Sequence, residues 1–220
     1  MAQIAEDLFL LLLDNASARP GLDRQRRERV LSAAVLLDLA HACRIRPAVN
    51  GDAVESGRLI ALTVPGALDP VAEPAFALLQ RRPLRPATAV KRLSKSTEGH
   101  IAGFLEHTGQ IRRIPLPAKR FGQDCVWPLM NRQRANDARS ALLAALFDRK
   151  PPAPATAAII SLLHAVDGLG ALLSLNDRGW RWVHARAGEI ALGSWVDEYP
   201  TALPEVNLAV TASAVRQALR

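Results

Sequence analysis

Residues 4–13, Ile4-Ala5-Glu6-Asp7-Leu8-Phe9-Leu10-Leu11-Leu12-Leu13, place the hardest demand on any fold of this chain. Read as a helix, the segment is apolar on nearly every side, so it has no face to give to water and should be buried. Glu6 and Asp7 stand in its first turn, where the helix dipole favours acids; as sequence neighbours they do not face each other. Its apolar run, Leu8 to Leu13, is far short of the ~20 residues needed to span a bilayer. The two acids also stand where a signal peptide would carry bases. A soluble, cytoplasmic chain is expected, with any membrane contact peripheral.

The rest of the chain reads as further helices around this one. Asn15 to Gly21 is a turn. Residues 24–42 form a second helix, charged in its first half and apolar from Ala33 to Ala42 except at Asp38 and His41. Arg44 to Val49 and Arg58 to Val64 flank Asn50-Gly51-Asp52 and predict a small β-hairpin. Asp69 to Gln80 predicts a helix, with Asp69 as N-cap and Pro70 at its first position. Helices follow over 87–95 and 97–107, broken near Ser96. A second hairpin is expected from Gln110 to Leu116 and Asp124 to Trp127. Further helices are expected over 131–148, 155–166, 171–176, 178–192 and 205–218, with Pro151-Pro152-Ala153-Pro154 as a rigid joint. With 220 residues, abundant Ala and Leu and 5% aromatics, the fold expected is mainly α. It is a compact single-domain helical fold with two small β-hairpins, one of them protruding.

Charge is distributed unevenly. Fifteen of the 28 Lys and Arg residues lie between Arg81 and Lys150, against five acids, so this stretch carries +10 and the remainder −3. A concentrated positive field attracts polyanions. Lys91, Arg92 and Lys95 share a helical neighbourhood. Arg112 and Arg113 begin the second hairpin, and Lys119, Arg120 and Phe121 form its tip. Cations around one exposed ring suit an anionic lipid surface, at roughly 1 kcal/mol for each cation near it. Helix, turn, helix and hairpin would also fit a winged-helix nucleic-acid binder. Its reading helix would be Thr97 to His107, which has two acids, two glycines and no Arg or Lys. That is a poor surface for a phosphate backbone, so a membrane is favoured.

Signals for catalysis are sparse. No GxSxG, HExxH or phosphate-binding glycine loop occurs. His100 and His107 share a helix face, but no Cys or carboxylate completes a metal set. Cys43 and Cys125 are isolated, as expected of reduced thiols. Trp180 and Trp182 flank Arg181 and read as packing residues ahead of base-stacking ones. No catalytic residue, metal or cofactor is expected.

The ordered set of segments resembles the Golgi phosphoprotein 3 family. Ile4 to Asp14 is similar to its opening helix, and Val35-Leu36-Leu37-Asp38-Leu39-Ala40 through Arg44-Ile45 to its second helix end. Leu105 to Ile111 and Trp127-Pro128-Leu129 resemble the segments bracketing its hairpin, and Leu162-Leu163-His164-Ala165 a later helix. The likeness spans residues 2–218 in order. It implies a mainly helical domain without catalysis. It also implies peripheral binding of phosphatidylinositol 4-phosphate, as in eukaryotic members, which link glycosyltransferases to vesicle coats. The hairpin would serve membrane contact or self-association. At the family's headgroup-binding positions this chain places Asp23, Ser32, Lys95 and Glu98, so that Lys95 alone retains a cation.

The expectation is therefore a non-enzymatic protein that binds anionic, phosphoinositide-like headgroups. The headgroup residues are Lys91, Arg92, Lys95 and Arg29; the membrane-contact hairpin residues are Arg112, Arg113, Lys119, Arg120 and Phe121. The alternatives are an adaptor or homo-oligomer built through the hairpin and, behind it, the nucleic-acid binder.

Overall fold

The computed structural model describes residues 4–116, 125–196 and 202–219. Helix α1 (Ile4–Leu13) has nine of its ten residues buried. Helices α2 (Arg24–His41), α5 (Gln133–Phe147) and α6 (Pro154–Ala165) pack around it, as does α4 (Pro86–His107). Helix α2 is the second core element: every residue from Val30 to Ala40 is buried. It carries α4, α6 and α8 (Leu203–Leu219) on its sides, and α7 (Asp177–Ala191) packs on α6.

The one acid in the buried half of α2 has a structural task. Asp38 accepts hydrogen bonds from the backbone N–H groups of Ile4 (2.8 Å) and Ala5 (3.0 Å), buried donors of α1's first turn that have no partner within the helix. It thus caps a helix from a different helix. Burial pushes its carboxyl up to about 7, against the pull of those two backbone bonds, and Asp69 and Glu6 add to the rise.

Two small antiparallel hairpins complete the fold. Strands β1 (Ile45–Pro47) and β2 (Leu59–Ala61) pair Ile45 with Ala61 and Pro47 with Leu59. Asn207 of α8 donates to the carbonyls of Ala40 (2.6 Å) and Ile45 (2.7 Å), pinning α8 to this hairpin. Helix α3 (Glu73–Arg81) packs on β2. Strands β3 (Ile114–Pro115) and β4 (Cys125–Val126) form the second hairpin. Its root is tied down: Trp127 N–H donates to the Ala18 carbonyl (2.8 Å), and the Trp127 ring meets Phe9 edge-on at 6.1 Å.

Three expectations need correction. The helices expected over 87–95 and 97–107 are one helix, α4, of 22 residues. Its buried stripe, Ala89, Val90, Leu93, Thr97, Ile101 and Leu105, runs through the supposed break at helical spacing. The Ser94, Ser96 and Thr97 hydroxyls bond back to the carbonyls of Lys91 and Leu93, so they are satisfied inside the helix. The helix–turn–helix unit behind the nucleic-acid reading is therefore not formed. Helix α3 begins at Glu73, not Asp69. The Asp69 carboxylate takes the Val71 N–H (2.9 Å), holding residues 70–72 in a turn before the helix. Residues 171–176 are not helical beyond a short 3-10 turn, Leu169–Ala171; Asn176 caps α7 through its bond to Gly179 N–H.

Candidate functional site

The basic stretch divides once its partners are visible. Arg134 of α5 binds Glu6 and Asp7 on α1, both at 2.6 Å. Burial raises both carboxyls above their usual range against the pull of Arg134. Arg132 (3.5 Å) and Arg139 (2.9 Å) bind Asp14, Arg149 binds Glu189 (3.2 Å), and Arg85 binds Glu55. Each of these acids lies outside the basic stretch, so five of its described cations are neutralised from elsewhere in the chain. Lys91, Arg92, Lys95, Arg112 and Arg113 are exposed and make no ion pair among the described residues.

Lys95 opens into a cleft of about 530 Å³. One wall is the loop before α2 and the first turns of α2: Arg19, Pro20, Arg24, Arg27 and Glu28. The second is α4, with Lys95, Glu98, Gly99 and Ala102, and the third is the hairpin root, with Cys125 and Trp127. Helix α2 starts here because Asp23 accepts the Arg26 N–H (3.0 Å) as N-cap. Its charged first half extends beyond the buried second half. Gly99, in mid-helix, leaves open space where a side chain would stand.

Arg24 and Arg27 are paired with acids. Arg24 pairs with Glu28 at 2.6 Å, one turn along α2. Arg27 reaches across to Glu98 on α4 at 3.0 Å and also donates to the Leu22 carbonyl (2.8 Å). Trp127 gives the cleft an aromatic wall. Four cations, two carboxylates and a ring form an amphipathic recess suited to a small anionic group.

Of the residues expected at a headgroup site, Lys95 lines the cleft. Lys91 and Arg92 lie about one turn before it on the exposed surface of α4 and do not line it. Arg29 is placed elsewhere: its guanidinium donates to the carbonyls of Ala218 (3.1 Å) and Leu219 (2.6 Å), closing the C-terminus of α8. Two residues along a helix is about 200° of rotation, so Arg29 leaves α2 on the side away from Arg27. Of the positions singled out by resemblance, Asp23 is a cap. Ser32 is buried and bonds the Glu28 carbonyl (2.8 Å), and Glu98 is inside the cleft. Arg112 and Arg113 are exposed at the start of the hairpin, with Arg113 N–H donating to the Glu106 carboxylate (3.3 Å). Lys119, Arg120 and Phe121 lie outside the described residues.

Sequence reasoning missed Arg19, Arg24, Arg27 and Trp127. The signal available was the density of charge in the first half of α2, a helix whose second half is core. His100 and His107 are exposed on α4. Among the described residues no group of three or more His, Cys, Asp or Glu could hold a metal ion. No helix among them is long and apolar enough to cross a membrane.

A family model described as Golgi phosphoprotein 3 (GPP34) matches residues 4–216. No curated protein matches the chain. The match covers nearly the whole sequence, and the chain belongs to that family.

Proposed function

From this membership and the cleft, we propose that the protein is a non-enzymatic, peripheral membrane protein of the cytoplasm that binds anionic lipid headgroups. The observation that carries the proposal is the cleft itself, where Arg19, Arg24, Arg27 and Lys95 converge beside the root of the hairpin. A headgroup phosphate in the cleft would meet Lys95, which has no acid partner among the described residues. Arg112 and Arg113 supply exposed charge on the adjoining hairpin. Each cation near an anionic surface contributes about 1 kcal/mol, so a few of them suffice for reversible binding. Trp127 supports the same reading, since an aromatic ring suits the boundary between headgroup and chain.

Flotation with vesicles tests this. The protein is expected to float with vesicles rich in phosphatidylglycerol at low salt. It should remain at the bottom with phosphatidylcholine alone, and lose the anionic vesicles as salt rises. Failure to float with anionic vesicles at low salt would remove the proposal.

A further inference from the structure

The cleft is not uniformly positive. Carboxylates line it beside its cations: Arg24 pairs with Glu28, and Arg27 with Glu98. The pairs differ in depth. The Arg24 side chain is 82% exposed and can swing away. Arg27 and Glu98 are only 15% and 17% exposed, and Arg27 is held further by the Leu22 carbonyl. Opening a pair this deep leaves a poorly solvated charge behind, so Glu98 stays where it is. It also lies three residues from Lys95 on α4, on a neighbouring part of the same surface.

An entering anion therefore meets Lys95 and the exposed Arg24, with a fixed carboxylate beside them. A headgroup with a single phosphodiester charge needs no more than these, and its hydroxyls can donate to the free lone pairs of Glu98 and Glu28. A headgroup bearing extra phosphomonoesters brings about −1.5 to −2 more charge for each. It would need the Arg27 fork that Glu98 holds, and would set phosphate against carboxylate, a contact that disfavours the wrong partner.

We propose that Glu98 sets the ligand class of this cleft: it selects singly charged, hydroxyl-bearing phosphodiester headgroups and discriminates against multiply phosphorylated ones. The inference rests on the headgroup reading above. The same chemistry occurs in a lipid and in a free glycerophosphodiester, and the test separates them.

Wild type and Glu98→Gln are compared on two sets of vesicles matched for surface charge, one with phosphatidylglycerol and one with a phosphoinositide bisphosphate. Wild type should bind the phosphatidylglycerol vesicles more tightly, by about threefold or more. Glu98→Gln should gain about tenfold on the bisphosphate vesicles and little on the others, the scale expected for removing one close like charge. A wild type that binds the bisphosphate vesicles equally well or better overturns the inference, and that measurement needs no variant. So does a Glu98→Gln ratio equal to that of wild type when both bind, which leaves the lipid reading standing. No binding by either protein to either vesicle overturns both. Soluble glycerophosphoglycerol should compete with the phosphatidylglycerol vesicles. Binding that persists unchanged at saturating competitor would assign recognition to the surface charge and overturn the role of the cleft.

Discussion

Helix α1 and the cleft at the hairpin root both draw cations from the basic stretch, α1 through Arg134 and Arg139 and the cleft through Lys95 beside Arg19, Arg24 and Arg27 from the start of α2 and its approach, yet they use them in opposite ways. At α1, Arg134 is folded onto Glu6 and Asp7, and Arg139 onto Asp14 and the backbone carbonyls of Asp14 and Leu172. Those charges hold α5 against the buried helix and present little to a partner. At the cleft, Lys95 faces solvent with no acid partner among the described residues, and Arg24 is exposed even though it is paired. The difference lies in where the acids come from. A cation met by an acid from a distant segment becomes part of the framework, and one left without becomes surface potential. Net charge along a sequence measures neither until the pairing is known.

The framework side of this contrast should respond most strongly to pH. Asp38 has its carboxyl raised to about 7 by burial, against near 4 in an unfolded chain. Its neutral form is favoured by folding, so its contribution is full below about pH 4 and is lost as pH rises toward 7. Three pK units correspond to about 4 kcal/mol. Asp38→Asn removes this titration. Urea denaturation at several pH values should show the variant gaining on wild type by a few kcal/mol between about pH 4 and 7. A constant gap across that range would show that Asp38 does not titrate there.

Arg134→Ala should come next. It leaves Glu6, which is buried, and Asp7 without their guanidinium, at a cost of about 2–3 kcal/mol. In a domain of this size that lowers the melting temperature by roughly 5–10 °C. Vesicle binding below the melting range should be unchanged, because this cation belongs to the framework. A loss of binding without a loss of stability would merge the two regions.

The smallest effect sharpens the cleft side. Gly103 lies exposed in α4 with open space around it, and Gly103→Ala should stabilise by about 0.5–1 kcal/mol through helix propensity alone. Gly99→Leu should gain helix propensity in the same way, but its side chain would enter the cleft and weaken lipid binding. Thermal melts and vesicle titrations on the pair separate a glycine that only costs stability from one that keeps space for a ligand.

Much of the framework was legible from residues alone. A segment apolar all round had to be buried, and α1 is. The period of α4 was also present in the sequence, but the local signal at Ser96 concealed it; burial of one continuous stripe outweighed it. Asp38 stood out as a lone acid in an apolar half-helix, but its partners lie more than thirty positions away, at Ile4 and Ala5, where no local pattern points. The cleft was legible only in part. Lys95 could be found from charge density on one helix. Arg24, Arg27 and Trp127 join it because the start of α2 meets the hairpin root, which is a matter of packing. Arg29 was misplaced because density of charge does not say which side of a helix each charge leaves from.

On the proposed function, recognition belongs to the cleft cations and not to the framework cations. Flotation of wild type, Lys95→Glu and Arg139→Gln with the same phosphatidylglycerol vesicles tests it directly. Reversing Lys95 should cost about 2 kcal/mol, near a thirtyfold loss of binding, with an unchanged melting temperature. Arg139→Gln should melt earlier and, while folded, bind as wild type does. Equal binding by Lys95→Glu and wild type would contradict the claim.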